Sequence, residues 1–190
     1  PPLSPPGLWA AVMRDSGRFL WRNLNGRESA RLPGLLTHEL AHLPLGQRIG
    51  HYNSTLPVWF HEGWASLTAE GGGAEYTSDA QAYAAIRAGR RIDLAVRDTP
   101  DVRHRADAFG LNIYEFYRES MLLVGWLKAQ DEARFRQLAL AIQDNRDFGI
   151  AFRDICGEPP AVRLAAFYED VQGGTVFNDN GQIQAAPAQP

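Results

Sequence analysis

The chain has 190 residues, about the size of one ordinary domain, with 45% hydrophobic residues and a net charge of -3. That composition excludes an intrinsically disordered chain, and the small, mixed charge excludes the basic face that nucleic-acid binding would need. No apolar run approaches bilayer length, so no transmembrane helix is expected. The single Cys156 cannot form an internal disulfide and reads as a buried core residue.

The opening Pro-Pro-Leu-Ser-Pro-Pro has neither Met nor an apolar signal-like run. It reads as a processed protein or a piece of a longer chain, with a weak lean toward the bacterial envelope or secretion. Residues 1–7 are taken as a Pro-rich segment, 8–171 as one domain, and 172–190, rich in Gly, Asn, Gln, Ala and Pro, as a flexible tail. Leu8 to Met13 and Arg18 to Leu24 are the only strand candidates, with turns at Asp15-Ser16-Gly17 and Asn25-Gly26.

Helix signals dominate after Pro33. A first helix is predicted from near Gly34 to His42 or Leu43, where Pro44 should end it. A second starts at Pro57 and stops at Gly71-Gly72-Gly73. A third runs from Asp79 to Arg90 behind the cap Ser78. After a looser stretch, Asn112 caps a long apolar helix over 113–129. Shorter helices follow at 132–143, 148–155 and 161–171. The sum is a mainly helical α+β domain.

The chemistry lies in His38-Glu39-Leu40-Ala41-His42. Residues at i and i+4 share one helix face, so two imidazoles so placed can bind one metal ion. Glu39 falls on the neighbouring edge, within reach of a metal-bound water but poorly placed to be a ligand. Zinc is the default metal, and a catalytic zinc typically has three protein ligands plus water. The motif alone is short, and two surface histidines would produce it too. The apolar neighbours Leu35, Leu36, Leu40 and Ala41 favour a buried helix, where unsatisfied His and Glu would be costly.

The next predicted helix carries Trp59-Phe60-His61-Glu62-Gly63-Trp64-Ala65-Ser66. Glu62 is a carboxylate in an aromatic run and needs a partner; one zinc ion would complete a two-His, one-Glu site. Small Gly63 and Ala65 would let two metal-sharing helices approach. Ser66, one turn on, could orient a ligand histidine. His51 and His61 are rival third ligands. Arg87, Arg90 and Arg91 read as a solvated helix end rather than a substrate clamp.

Together, HELAH and the downstream WFHEGWAS resemble the gluzincin metallopeptidases, thermolysin-like and aminopeptidase-N-like enzymes among them. The segment is most similar to small peptidase MA-like domains, which pair HELAH with Pro-x-Trp-x-x-Glu-Gly-x-Ala and a Tyr-x-x-Ser helix. The counterparts are His38 to His42, Pro57 to Ala65, and Tyr117 to Ser120. The resemblance spans residues 30 to 171. The Gly-x-Met-Glu-Asn segment of aminopeptidase-N-like enzymes is absent, and His61 stands where they carry Asn. Leu45 and Arg48 exclude a metzincin.

The resemblance implies a zincin-like core with a small or truncated N-terminal sheet. It further implies one zinc ion on His38, His42 and Glu62, with Glu39 as general base acting on a peptide or protein substrate. Tyr117 is the first candidate for stabilising the oxyanion, then Tyr114, then His104. The alternatives are a zinc hydrolase of a non-peptide amide and a non-catalytic module stabilised by zinc.

Overall fold

A computed structural model describes residues 31–46, 55–94, 105–178 and 181–184. The strand candidates before residue 25, His51 and His104 lie outside the described residues. Seven α-helices and one two-stranded ribbon make up the described part. They are α1 (Leu32–Gly46), α2 (Val58–Thr68), α3 (Asp79–Arg87), α4 (Ile113–Gln130), α5 (Glu132–Gln143), α6 (Phe148–Cys156) and α7 (Pro160–Gln172). The ribbon is β1 (Val176–Phe177) and β2 (Ile183–Gln184), and a 3-10 turn spans Ala106–Phe109. The mainly helical character matches the sequence reading. No described helix is long and apolar enough to cross a membrane.

The centre of the fold is α4. Asn112 caps it, accepting from the Tyr114 and Glu115 amides at 2.9 Å each, while the Glu115 carboxylate accepts from the Asn112 amide at 3.1 Å. Every residue from Glu119 to Leu127 is buried, so the helix is covered on all sides. Against it lies α2, which packs most extensively on α4 and next on α1. Trp59 and Phe60 of α2 reach Phe148 and Phe135, tying α2 to α5 and α6.

The close approach expected of Gly63 is real, but its neighbour is α4, not α1. A Cβ at Gly63 would overlap the Ser120 carbonyl and lie 2.7 Å from Val124 Cγ2. The missing side chain therefore sets the distance between α2 and α4, and through it the height of Glu62 above Tyr117.

Three further expectations are corrected. Pro44 does not end α1, which continues to Gly46. Leu40 and Pro44 lie on the exposed side, where water can serve the carbonyl that Pro44 leaves without a donor, and fully buried Leu45 anchors the last turn. Residues 173–178 and 181–184 are not a free tail. Phe177 is buried, and the Tyr83 hydroxyl donates to its carbonyl at 2.7 Å and accepts from its amide at 3.0 Å. Cys156 is half-buried and packs on the rim of the core rather than inside it. The arginines are structural ties: Arg87 donates to the Val171 carbonyl, Arg90 pairs with Glu115, and Arg91 lies over Tyr168.

Glu119 is a buried carboxylate that serves the fold. It accepts from the Ile92 amide at 2.7 Å and the Tyr168 hydroxyl at 2.6 Å. Burial pushes its pKa up to about 7, against the pull of those two hydrogen bonds. A carboxylate raised in the folded state contributes stability below its unfolded pKa, and that contribution is lost as pH rises through the folded value. The displacement from 4.5 to about 7 corresponds to about 3 kcal/mol. Urea denaturation across this pH range should show that loss in the wild type and a flatter profile in Glu119→Gln; parallel profiles would refute the assignment. Gly63→Ala should lower stability by about 1–3 kcal/mol through overpacking, read from the same denaturation curves.

Candidate metal centre

The site forms where α1, α2, the turn after α2 and α4 meet. On α1, His38 and His42 stand one turn apart, with ring centroids 4.9 Å apart and planes at 86°. From α2, Glu62 comes between them: its Oε2 lies 3.3 Å from His38 Nε2 and 3.6 Å from His42 Nε2. The potential ligand atoms of His38, His42 and Glu62 all lie within 4.8 Å of one another, and this triad could hold a metal ion. His38 is buried and the other two are partly buried.

The outer nitrogens of both histidines are engaged. His38 Nδ1 donates to the Gly72 carbonyl at 2.9 Å, with the Ser66 hydroxyl farther off at 3.4 Å. His42 Nδ1 meets His61 Nε2 at 3.1 Å. In each case Nε2 is the nitrogen that faces the shared point. This is the arrangement in which outer partners fix the tautomer and ring orientation of metal-binding histidines. The donor set fits a zinc-type ion: two imidazole nitrogens and one carboxylate.

Glu62 and the histidines also shift one another's titration. Burial alone would lower the pKa of His38, but the hydrogen bond to Glu62 and the charges of Glu62 and Glu39 outweigh it and raise it. Burial alone would raise that of Glu62; the His38 hydrogen bond above all, with the neighbouring imidazoles, holds it below the ordinary range. Burial takes His42 down to about 3, opposed by Glu62, so its ring is neutral. His61 is lowered too, first by burial. Neutral imidazole is the form that binds metal.

Tyr117 of α4 stacks on His38, with ring centroids 5.9 Å apart and planes at 21°. Burial pushes its phenol well above the ordinary range, helped by the charges of Glu62 and Glu39 and a hydrogen bond to Glu62, and opposed by Arg105. Tyr117 therefore remains a proton donor at neutral pH. Glu39 is half-buried on the adjoining edge of α1 and acts electrostatically on both His38 and Tyr117.

Five residues selected from sequence thus converge: His38, Glu39, His42, Glu62 and Tyr117. Tyr114 does not join them; it is exposed and pairs with Tyr76, ring centroids 4.8 Å apart. His61 is not in the ligand triad, since its Nε2 is turned to His42. Sequence reasoning missed the Gly72 carbonyl, a backbone group with no side-chain signature. It also missed the contact of His61 with His42, which its place beside Glu62 on the same helix could have suggested. The chain matches no protein-family model, no curated protein and no solved structure.

Purified wild type should bind one equivalent of zinc, and His38→Ala, His42→Ala and Glu62→Gln should each lose stoichiometric binding. Elemental analysis after gel filtration measures this. Retention of a full equivalent in His38→Ala would show that the ligand assignment is wrong.

Proposed function

We propose that the chain is a zinc-dependent peptidase of the gluzincin type, with a zincin-like core. The observation that carries the reading is the convergence of His38, His42 and Glu62 from two helices, with Tyr117 stacked on His38. The resemblance of HELAH and WFHEGWAS to peptidase MA-like domains agrees with it. His38, His42 and Glu62 would hold the ion, and a zinc ion there would supply Lewis-acid activation of water and of the scissile carbonyl.

The remaining roles belong to side chains of this protein. Glu39 is the carboxylate beside the triad that is not among its ligands. Its carboxylate oxygen takes a proton from the water that adds to the carbonyl carbon and delivers it to the amine nitrogen as the C–N bond breaks. Tyr117, held protonated by its surroundings, donates to the oxyanion that develops on the substrate carbonyl. A structural zinc is closed by four protein ligands, and the triad supplies three among the described residues. Glu39 beside the triad favours catalysis over a stabilising role, since a closed structural site has no use for a base there.

Glu39→Gln should keep its zinc while losing about 10²–10⁴-fold in turnover of a peptide library. Tyr117→Phe should keep its zinc and lose about 10²–10³-fold in kcat with little change in KM. Unaltered turnover in zinc-loaded Glu39→Gln would remove the mechanism. Cleavage of non-peptide amides alone would transfer the site to the other hydrolase class.

A further inference from the structure

We propose that Gly72 and Gly73 are positioning residues of the metal centre, one orienting His38 with its carbonyl and the other leaving room for its ring. This rests on the reading of His38 as a metal ligand and extends it to residues outside the triad.

The turn after α2 folds back beneath His38 and is closed by its own backbone. The Gly71 amide donates to the Ser66 carbonyl at 2.8 Å, the Gly72 amide to Ala69 at 3.0 Å, and the Ala74 amide to Gly71 at 3.0 Å. Arg118 of α4 clamps the far end, donating from Nε to the Ala74 carbonyl at 3.2 Å. A turn held this way presents a fixed carbonyl. That of Gly72 accepts from His38 Nδ1 at 2.9 Å, nearer than the Ser66 hydroxyl at 3.4 Å. With the proton held on Nδ1, the lone pair of Nε2 faces Glu62 and His42.

The space is equally specific. A Cβ on Gly73 would lie 2.8 Å from His38 Nδ1 and 2.9 Å from its Cε1. One on Gly72 would lie 2.5 Å from the Gly34 carbonyl oxygen, in the first part of α1. Gly71 has nothing within 4 Å of such an atom. Both Gly71 and Gly73 have left-handed backbone, with φ of 95° and 84°. An alanine at either position therefore carries the same kind of backbone cost, but only at 73 does it meet the ligand ring. Gly71→Ala is a control built into the same turn.

Zinc affinity is measured by competition with a chromogenic chelator, and the visible spectrum is recorded with cobalt(II) in place of zinc. Gly73→Ala should bind zinc about 10–100-fold more weakly than Gly71→Ala, with an altered cobalt spectrum. Gly71→Ala should keep the wild-type affinity and spectrum. Equal affinities in the two variants overturn the proposal while leaving the metal site intact. A wild type that binds no zinc overturns both the site and the proposal. Should Gly73→Ala fail to fold, the wild type decides: nitrogen-15 histidine spectra of the zinc-loaded protein should show His38 protonated on Nδ1. A His38 that is unprotonated there overturns the proposal.

Discussion

Burial of the Glu62 carboxylate on α2 is the constraint around which the described structure is arranged. The helix that carries it also carries Trp59 and Phe60, both fully buried. The carboxylate beside them is itself largely withdrawn from water. An isolated buried carboxylate is costly enough that it would normally take up a proton. Here the opposite holds: its pKa is kept low because His38 bonds to it and His42 stands beside it. Two helices are thus pinned by a small polar cluster, Glu62 with both histidines and His61 with His42.

This pin explains the order of packing. Next to its contact with α1, α2 also lies on α4, and Gly63 allows the approach by having no side chain where Ser120 passes. Tyr117, one turn earlier on α4, then stacks on His38. Glu62 is therefore positioned twice, by the histidines of α1 and by the depth to which α2 sinks onto α4. The helix supplying the carboxylate cannot shift without disturbing the aromatic cluster of Phe60, Phe135 and Phe148.

What was legible in the sequence was what local chemistry determines. The Ser78 and Asn112 caps were readable because a cap depends on a few neighbouring residues, and both form capping boxes. The spacing of His38 and His42 was readable because a helix brings i and i+4 together. The failures share a non-local cause. The end of α1 depends on where Leu45 finds the core, and that outweighs the local effect of Pro44. The partner of Gly63 is more than fifty positions away, at Ser120. Phe177 docks on Tyr83 across the molecule, so the polar composition around it concealed one buried aromatic. Gly72 acts through a carbonyl, which every residue possesses.

The two histidines are held by unlike means, and the difference has a physical consequence. His38 is more buried and rests on a backbone carbonyl in a turn closed by its own hydrogen bonds. Its orientation follows from the fold of the chain. His42 is more open and rests on the side chain of His61, which can rotate. Both His61 and Glu62 ride on α2 at adjacent positions, so the helix that supplies the third ligand also orients the second. Any movement of α2 relative to α1 would alter the contacts of Glu62 with both histidines and loosen His42 at the same moment. His38 would keep its backbone partner only if the turn after α2 stayed in place, and Arg118 of α4 secures that turn. The central helix α4 thus braces the site from two directions, through Tyr117 above His38 and through the turn beneath it.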